Sequence, residues 1–481
     1  MTVDYNLVIV GGSVTARYAA ELARRLKARV ALVEPYAVTQ LPLESVLVSS
    51  ESEILALQAI QHAPSGDWQD RCRWGQTVIR QQSQQQSLSS LAMLGVDVVV
   101  GNAEFCRRDR DFGVWVKGAK GTSDRWLTAH SYLLCPGSVP TLPPITGLID
   151  VPFLTLDDVL ALKPGQQTVA LNGHSLIVGQ SARSIELAQA LAQQGKAVTL
   201  LVESQQFELG WDADVSRLLL AQLEADGVAV QTGTQALQAK WIDGQVWVQT
   251  THRAIAVDHL ILATQRQPLL GQMNPGAAQI EMQDGLALVN KKLQTSNHCI
   301  YACGDAIAAC LPPNQMRSQV DVAVRNGLFL PTRSQHDSLI AKQINTVPPA
   351  VQLGSTEAEA RKQWGDRLHV VQGQVGLTNR AALEQRSAGF CKLLLRSNGT
   401  ILGAHAVGGE AGEWVGAIAL AMQEKITFQK LAKIHAPSAT FSELLNQMAL
   451  DWSTQKLQRD RFRFNLLELA MNWRRDWSNS R

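Results

Sequence analysis

Glu34 and Glu203 occupy the same place in two similar stretches. The first runs from Tyr5 to Pro35, YNLVIVGGSVTARYAAELARRLKARVALVEP; the second begins at Ser175, SLIVGQSARSIELAQALAQQGKAVTLLVES. Each reads as strand, glycine turn, helix, second strand and a closing acid. In such a unit the N–H groups of the turn and the helix dipole favour a diphosphate. A carboxylate about 20 residues further on accepts hydrogen bonds from ribose hydroxyls. The chemistry these residues offer is dinucleotide binding, and its repetition adds weight to either copy.

Both copies are degenerate. Gly11 and Gly179 hold the first glycine position, but Ser13 and Ala16, then Ser181 and Ser184, hold the second and third. A serine adds a Cβ where backbone should approach phosphate. It fits only at negative φ, and its hydroxyl could then donate to the phosphate. An α/β unit without nucleotide is the alternative for either copy alone. The acid at 203 favours NAD over NADP, because a carboxylate pairs with a 2′-OH and repels a 2′-phosphate. No arginine follows it within ten residues. Arg183, inside the turn, is the one caveat, since it could receive such a phosphate; its plainer reading is a solvent-facing helix charge.

The elements that would position these groups follow from periodicity. Apolar runs at 7–10 and 30–33 suit buried parallel strands. Ala16, Ala19, Ala20, Leu22 and Ala23 form a helical face of small residues that can lie close on a sheet. Residues 53–94 read mainly as helix, and 96–100, 114–116 and 132–134 as strands. Prolines at 140, 143 and 144 suggest a domain edge. A strand at Ile300 and Tyr301 leads to Gly304 and Asp305, where Asp305 is either a helix cap or a carboxylate that holds a polyol. Beyond about residue 347, strands at 368–372, 389–396 and 401–407 group beside helices at 412–423 and 428–431, an α+β pattern.

A chain of 481 residues suggests about three domains. A net charge of +2 gives no pointer to nucleic acid. With no leader pattern and no apolar run of about 18 residues, a cytoplasmic protein is expected. The seven cysteines, at 72, 106, 135, 299, 303, 310 and 391, form no C-x-x-C pair and no metal-binding spacing, so buried thiols and no metal are expected. The last 31 residues carry seven Lys/Arg against four acids. There Phe462, Leu466, Leu469, Trp473 and Trp477 fall on one helical stripe, with Arg461, Arg474 and Arg475 off it. Such a helix could lie on an anionic membrane surface or pack on protein.

Taken in order, VIVGGSVTA…VEP, LLCPGSVP, LIVGQSARSIELA…LLVES, LILATQRQP, IYACGDAIA, GFCKLLLRSNGTILGAHAVG and HAPSATFSELL resemble the pyridine nucleotide–disulfide oxidoreductases. This is the flavoprotein family of glutathione reductase, dihydrolipoamide dehydrogenase and mercuric reductase. The resemblance implies an α/β fold of two Rossmann-like domains, one inserted in the other, plus a C-terminal α+β dimerisation domain. The corresponding bounds are 1–150 and 276–346 for the FAD domain, 151–275 for the NAD(P) domain, 347–450 for dimerisation and 451–481 for a basic tail helix. It implies FAD at Gly11, Gly12, Ser13, Ala16, Glu34, Gly137, Gly304 and Asp305. A nicotinamide nucleotide would lie at Gly179, Ser181, Ser184, Glu186 and Glu203, with Glu186 near its junction with the flavin. A homodimer is implied as well.

The departures bear on chemistry. The family carries a C-x4-C pair soon after its first acid; here those positions fall near Ala37 and Pro42, and the lysine that follows appears as Val46. The family histidine, five residues before its glutamate, would be Ser438, counted from Glu443. His435 is three positions out of register, so His435 and Glu443 are the remaining acid–base candidates. A thiolate needs a thiol and a base needs an imidazole, so dithiol exchange is not expected. The expected activity is an FAD-dependent NAD(P)H oxidoreductase serving a small non-disulfide acceptor such as a quinone. The alternatives are a catalytically degenerate flavin-binding or scaffold protein and a soluble transhydrogenase.

Overall fold

The structure, a computed structural model, describes residues 3–35, 50–64, 66–108, 111–118, 123–162, 167–205, 207, 210–308, 311–336, 339–459 and 461–479. The chain divides into two compact units, one of residues 1–209 with 220–337, the other of 210–219 with 338–481.

In the first unit a seven-stranded sheet has the order Ile300–Ala302, Ala129–Leu134, Tyr5–Val10, Val30–Glu34, Asp97–Arg108, Asp111–Gly118, Arg125–Leu127. The first five are parallel, and the last two form an antiparallel ribbon on the edge. Strand Tyr5–Val10 explains why this sheet must be covered on both sides. Leu7 and Ile9 pack on Ala16, Ala19, Ala20 and Ala23 of helix Val14–Arg25, while Val8 and Val10 pack with Val99, Val114 and Tyr132 on the other face. An unbroken apolar run is what a strand buried on two faces requires. A second, five-stranded parallel sheet has the order Val228–Gln231, Ala197–Leu201, His174–Val178, His259–Leu262, Leu154–Thr155. It lies in sequence wholly between the sixth and last strands of the first sheet, so one Rossmann-like unit is inserted in the other.

Both repeats start their helix by the same device. Gly11 donates its N–H to Val33 O, and Val10 O accepts from Cys135 N on the opposite side. Gly179 donates to Leu201 O, and Val178 O accepts from Ala263 N. A Cβ on Gly11 would stand 1.9 Å from Cys135 O, and one on Gly179 would stand 2.3 Å from Ala263 O. The neighbouring strand's carbonyl takes the space of a side chain.

Several expectations change. The helical region at 53–94 is three helices, Ser50–Gln61, Trp68–Gln85 and Leu88–Met93. Pro64 and Gly66 fall in the first break, and Asp67 and Ser87 cap the two restarts by accepting from the amides of Asp70 and Ser90. The strands expected at 96–100 and 114–116 extend to Asp97–Arg108 and Asp111–Gly118, where Phe105 and Phe112 stack across the pair. Asp305 is not a helix cap: it lies in a 3-10 turn, Gly304–Ala306, and the next helix starts at Pro313.

The second unit holds an antiparallel sheet in the order Lys342–Ile344, Ala350–Gly354, Ile401–Val407, Phe390–Arg396, Leu368–Gln374. Helices Ala411–Gln423 and Ser442–Arg459 supply Trp414, Ile418, Leu444 and Met448 to its core. Lys392, buried on the strand Phe390–Arg396, is paired with Asp212 and Asp214 at 2.7 Å and Glu357 at 2.5 Å. The tail forms helix Arg461–Asn479. Leu466, Leu469 and Trp473 are exposed as one stripe, but Phe464, Leu467 and Met471 are exposed too. At about 100° per residue the second set falls roughly opposite the first, so the helix carries two apolar stripes rather than the one expected. Among the described residues no helix is long and apolar enough to cross a membrane.

Gly11→Ala is expected to destabilise the fold by about 2–4 kcal/mol, since strand pairing must break or the backbone must leave its φ of 129°. Thermal and urea unfolding of the variant against the parent measure this.

Candidate functional site

The first turn is built on Ser13. Its φ is −68°, the negative value that a side chain there requires, and it caps helix Val14–Arg25. The hydroxyl accepts from Ala16 N at 3.2 Å and donates to Cys135 O at 3.1 Å. Its single proton is therefore committed inward, which corrects the expectation that it could serve a phosphate. Ser181 behaves alike: at φ −85° it caps helix Ala182–Ala192 and accepts from Ser184 N at 3.4 Å.

Glu34 ends strand Val30–Glu34 with a side chain that is 0% exposed. Arg17 Nη2 reaches its Oε1 at 2.7 Å. Burial pushes the Glu34 carboxyl up and Arg17 draws it partly back. Glu34 Oε2 and Arg17 Nε are buried with no hydrogen-bond partner among the described residues. An orphaned carboxylate oxygen at this place fits an incoming ribose hydroxyl, so the first fold suits a dinucleotide such as FAD. Arg17 lines a cleft with Gly12, Val14, Ser52 and Gln86, among others.

Asp305 Oδ2 accepts from the Ser138 hydroxyl at 2.7 Å, and Ser138 Oγ accepts from Arg266 Nε at 2.9 Å. Arg266 also pairs with Asp157 at 2.9 Å and with Glu53, whose other oxygen meets Arg183. These four charged side chains are nearly fully buried. The expectation of a solvent-facing Arg183 is thus wrong: it is 3% exposed, because Glu53 enters beside it and a buried carboxylate must be paired. Gly137 and Gly304 have φ of 75° and 63°, and Gly304 donates its N–H to Gln319 Oε1 at 2.9 Å. Burial pushes the Glu51 carboxyl up to about 7; Arg317 Nη2, 3.7 Å away, draws it down, while Asp305 raises it.

In the second turn Ser184 is fully buried and Glu186 is 2% exposed. Glu203 is exposed and accepts from Gln235 Nε2. His435 lies exposed in a loop, and Glu443 accepts from Ala439 N at 2.9 Å. No hydrogen bond among the described residues joins them. Ala37, Pro42 and Val46 lie outside the described residues. Of the described cysteines, Cys72, Cys135, Cys303 and Cys391 are buried as expected, but Cys299 is exposed. Sequence reasoning missed Arg17, Glu53 and Asp157. In sequence Arg17 is one more charge beside the small-residue face of its helix, and no local signal marks it.

The model of the pyridine nucleotide-disulphide oxidoreductases matches residues 5–327, and the model of their dimerisation domain matches residues 340–449. The chain belongs to this family. Its relatives include a mercuric reductase of Staphylococcus aureus, 26% identical over 93% of this chain and 82% of that one. A dihydrolipoyl dehydrogenase of Bacillus subtilis is 25% identical over 92% of this chain and 98% of its own length. The fold is that of the HOCl-induced flavoprotein disulfide reductase RclA of Escherichia coli, with a TM-score of 0.79, 24% identity, and 93% and 99% of the two chains covered. The family is one of FAD-dependent pyridine nucleotide oxidoreductases, and its dimerisation domain supports a homodimer.

The raised Glu51 carboxyl sets a pH dependence. Its folded value of about 7 exceeds the ordinary 4.5. Its contribution to stability is therefore complete below about pH 4.5 and is lost as pH rises through 7. Glu51→Gln, which stays neutral, should raise the melting temperature at pH 8, by an amount corresponding to on the order of 3 kcal/mol, with little effect near pH 5. Parallel melts of both proteins across that range read the difference.

Proposed function

We propose that this chain is an FAD-dependent NAD(P)H oxidoreductase that serves a small acceptor, such as a quinone, without a disulfide relay. The supporting observation is that no cysteine stands where the family carries its pair. The sequence has no cysteine before Cys72. Cys72 is buried on helix Trp68–Gln85 with Sγ 3.7 Å from Val159 O, and burial pushes its thiol up to about 12. Burial also pushes Cys135 and Cys391 up. The thiolate is the nucleophile in exchange, and these groups stay protonated at neutral pH. Ser438, at the position of the family's histidine, cannot act as a base.

The turn at Gly11, Gly12 and Ser13 would present backbone N–H groups to the FAD diphosphate, with Ala16 letting the helix approach. Glu34 would take ribose hydroxyls, and Asp305, oriented by Ser138, would take the polyol beside Gly137 and Gly304. Bound FAD would supply the redox chemistry, accepting hydride from a reduced nicotinamide and releasing electrons to the acceptor. Gly179, Ser181 and Ser184 would hold the second nucleotide, with Glu186 near its reacting end. Glu203 would pair with a 2′-OH. Arg183 is committed to Glu53, so it is not at hand for a 2′-phosphate, and this supports NAD.

One observation favours a second reading, a flavin-binding or scaffold protein without turnover: Arg17 and the two serine hydroxyls satisfy within the chain what a coenzyme would satisfy. Anaerobic mixing of the holoprotein with NADH separates the two. The proposed enzyme loses its flavin absorbance within minutes, about tenfold faster with NADH than with NADPH. An unbleached spectrum rejects it. Neither glutathione disulfide nor lipoamide should be reduced at a rate above the uncatalysed one.

A further inference from the structure

We propose that Arg17 is an internal stand-in for the coenzyme's ribose. It seals Glu34 until the adenosine end of FAD displaces it, so FAD is an exchangeable ligand here rather than a permanent one. The inference rests on FAD occupying the first fold.

Three observations carry it. Glu34 is wholly buried and does not line the adjoining cleft, whereas Arg17 is 12% exposed and does. Of the two partners, Arg17 is thus the one open to that cleft. Next, the pair is incomplete. One contact of 2.7 Å joins Nη2 to Oε1, while Arg17 Nε and Glu34 Oε2 are buried without hydrogen-bond partners among the described residues. A parallel fork would satisfy both. Two ribose hydroxyls could satisfy both carboxylate oxygens, so exchange repairs a defect as well as breaking a contact. Finally, Arg17 has somewhere to go. Its Nη1 lies 3.5 Å from the carbonyl oxygen of Gln86, the C-cap of helix Trp68–Gln85. That is the negative end of the helix dipole, where a cation is favoured. Leaving Glu34 therefore need not leave the guanidinium without a partner.

The test reads affinity rather than turnover. FAD is titrated into flavin-free parent protein and Arg17→Met, following quenching of FAD fluorescence, and the flavin release rate is measured on the reloaded proteins. Arg17→Met should bind FAD about tenfold or more tightly and release it correspondingly slowly. In a Glu34→Gln background the same substitution should give little gain, because no ion pair remains to be exchanged. Arg17→Gln keeps a donor beside the buried carboxylate and carries the same expectation if the methionine variant does not fold. If the parent binds FAD and the variants bind it no tighter, Arg17 is not a seal, although the proposed function stands. If no form binds FAD, the cofactor reading falls and takes this inference with it.

Discussion

A carbonyl oxygen stands where a side chain would be at the head of each glycine turn. Gly11 meets Cys135 O and Gly179 meets Ala263 O, and no residue with a Cβ fits either place. That contact fixes the start of each helix against the neighbouring strand. It also brings distant residues to one edge. Gly11, Glu34, the segment Cys135–Gly137, and the pair Gly304 and Asp305 all sit at the carboxyl ends of four adjacent parallel strands. Ligands in open α/β sheets bind in the crevice outside such ends. Ser13 is part of the same junction, since its hydroxyl donates to the carbonyl that excludes a side chain at Gly11.

The buried charges around this edge are of two kinds. Glu53 sits between Arg183 and Arg266, and Arg266 also holds Asp157 and the Ser138 carbonyl. Two cations meet two anions from four separate segments, and hydrogen bonds reach the guanidinium from several sides. Taking such groups from water costs several kcal/mol each, and removing one would leave the others uncompensated. That network is structural. Glu34 and Arg17 share one contact and, among the described residues, leave a polar atom without a hydrogen-bond partner on each side. The difference lies in number: four charged side chains share the first set, and only two the second.

What was legible in the sequence was local. The two strand–turn–helix–strand units, their closing acids and the small helical face can be read because each depends on neighbours within about 30 residues. The position of Asp305 came only from the order of motifs, and its partner Ser138 lies in a different one. Arg183 was misread because its partner, Glu53, is 130 residues earlier on a helix with no visible link to the turn. Arg17 escaped for a related reason. In sequence it is one more charge on an amphipathic helix; only the turn of that helix against Val30–Glu34 aims it at Glu34. The second apolar stripe of the tail, Phe464, Leu467 and Met471, repeats the spacing of Leu466, Leu469 and Trp473 and is equally local.

The serines and Arg17 act in the same direction. An N-cap serine stabilises its helix by about 1 kcal/mol and takes up one amide that a phosphate would otherwise meet. It leaves the dipole and the other N–H groups of the first turn in place. Ser13 and Ser181 therefore stabilise the unliganded fold, and would leave either turn able to take an anion. Under the proposed reading Arg17 would do so more strongly at Glu34, because a buried carboxylate without a ligand needs a counter-charge. Glycines at those positions, and no cation at 17, would leave the folded chain dependent on its nucleotide. With these residues the chain supplies its own partners, and a departure from the glycine pattern that looks like decay is also what a fold needs to persist between encounters with a coenzyme.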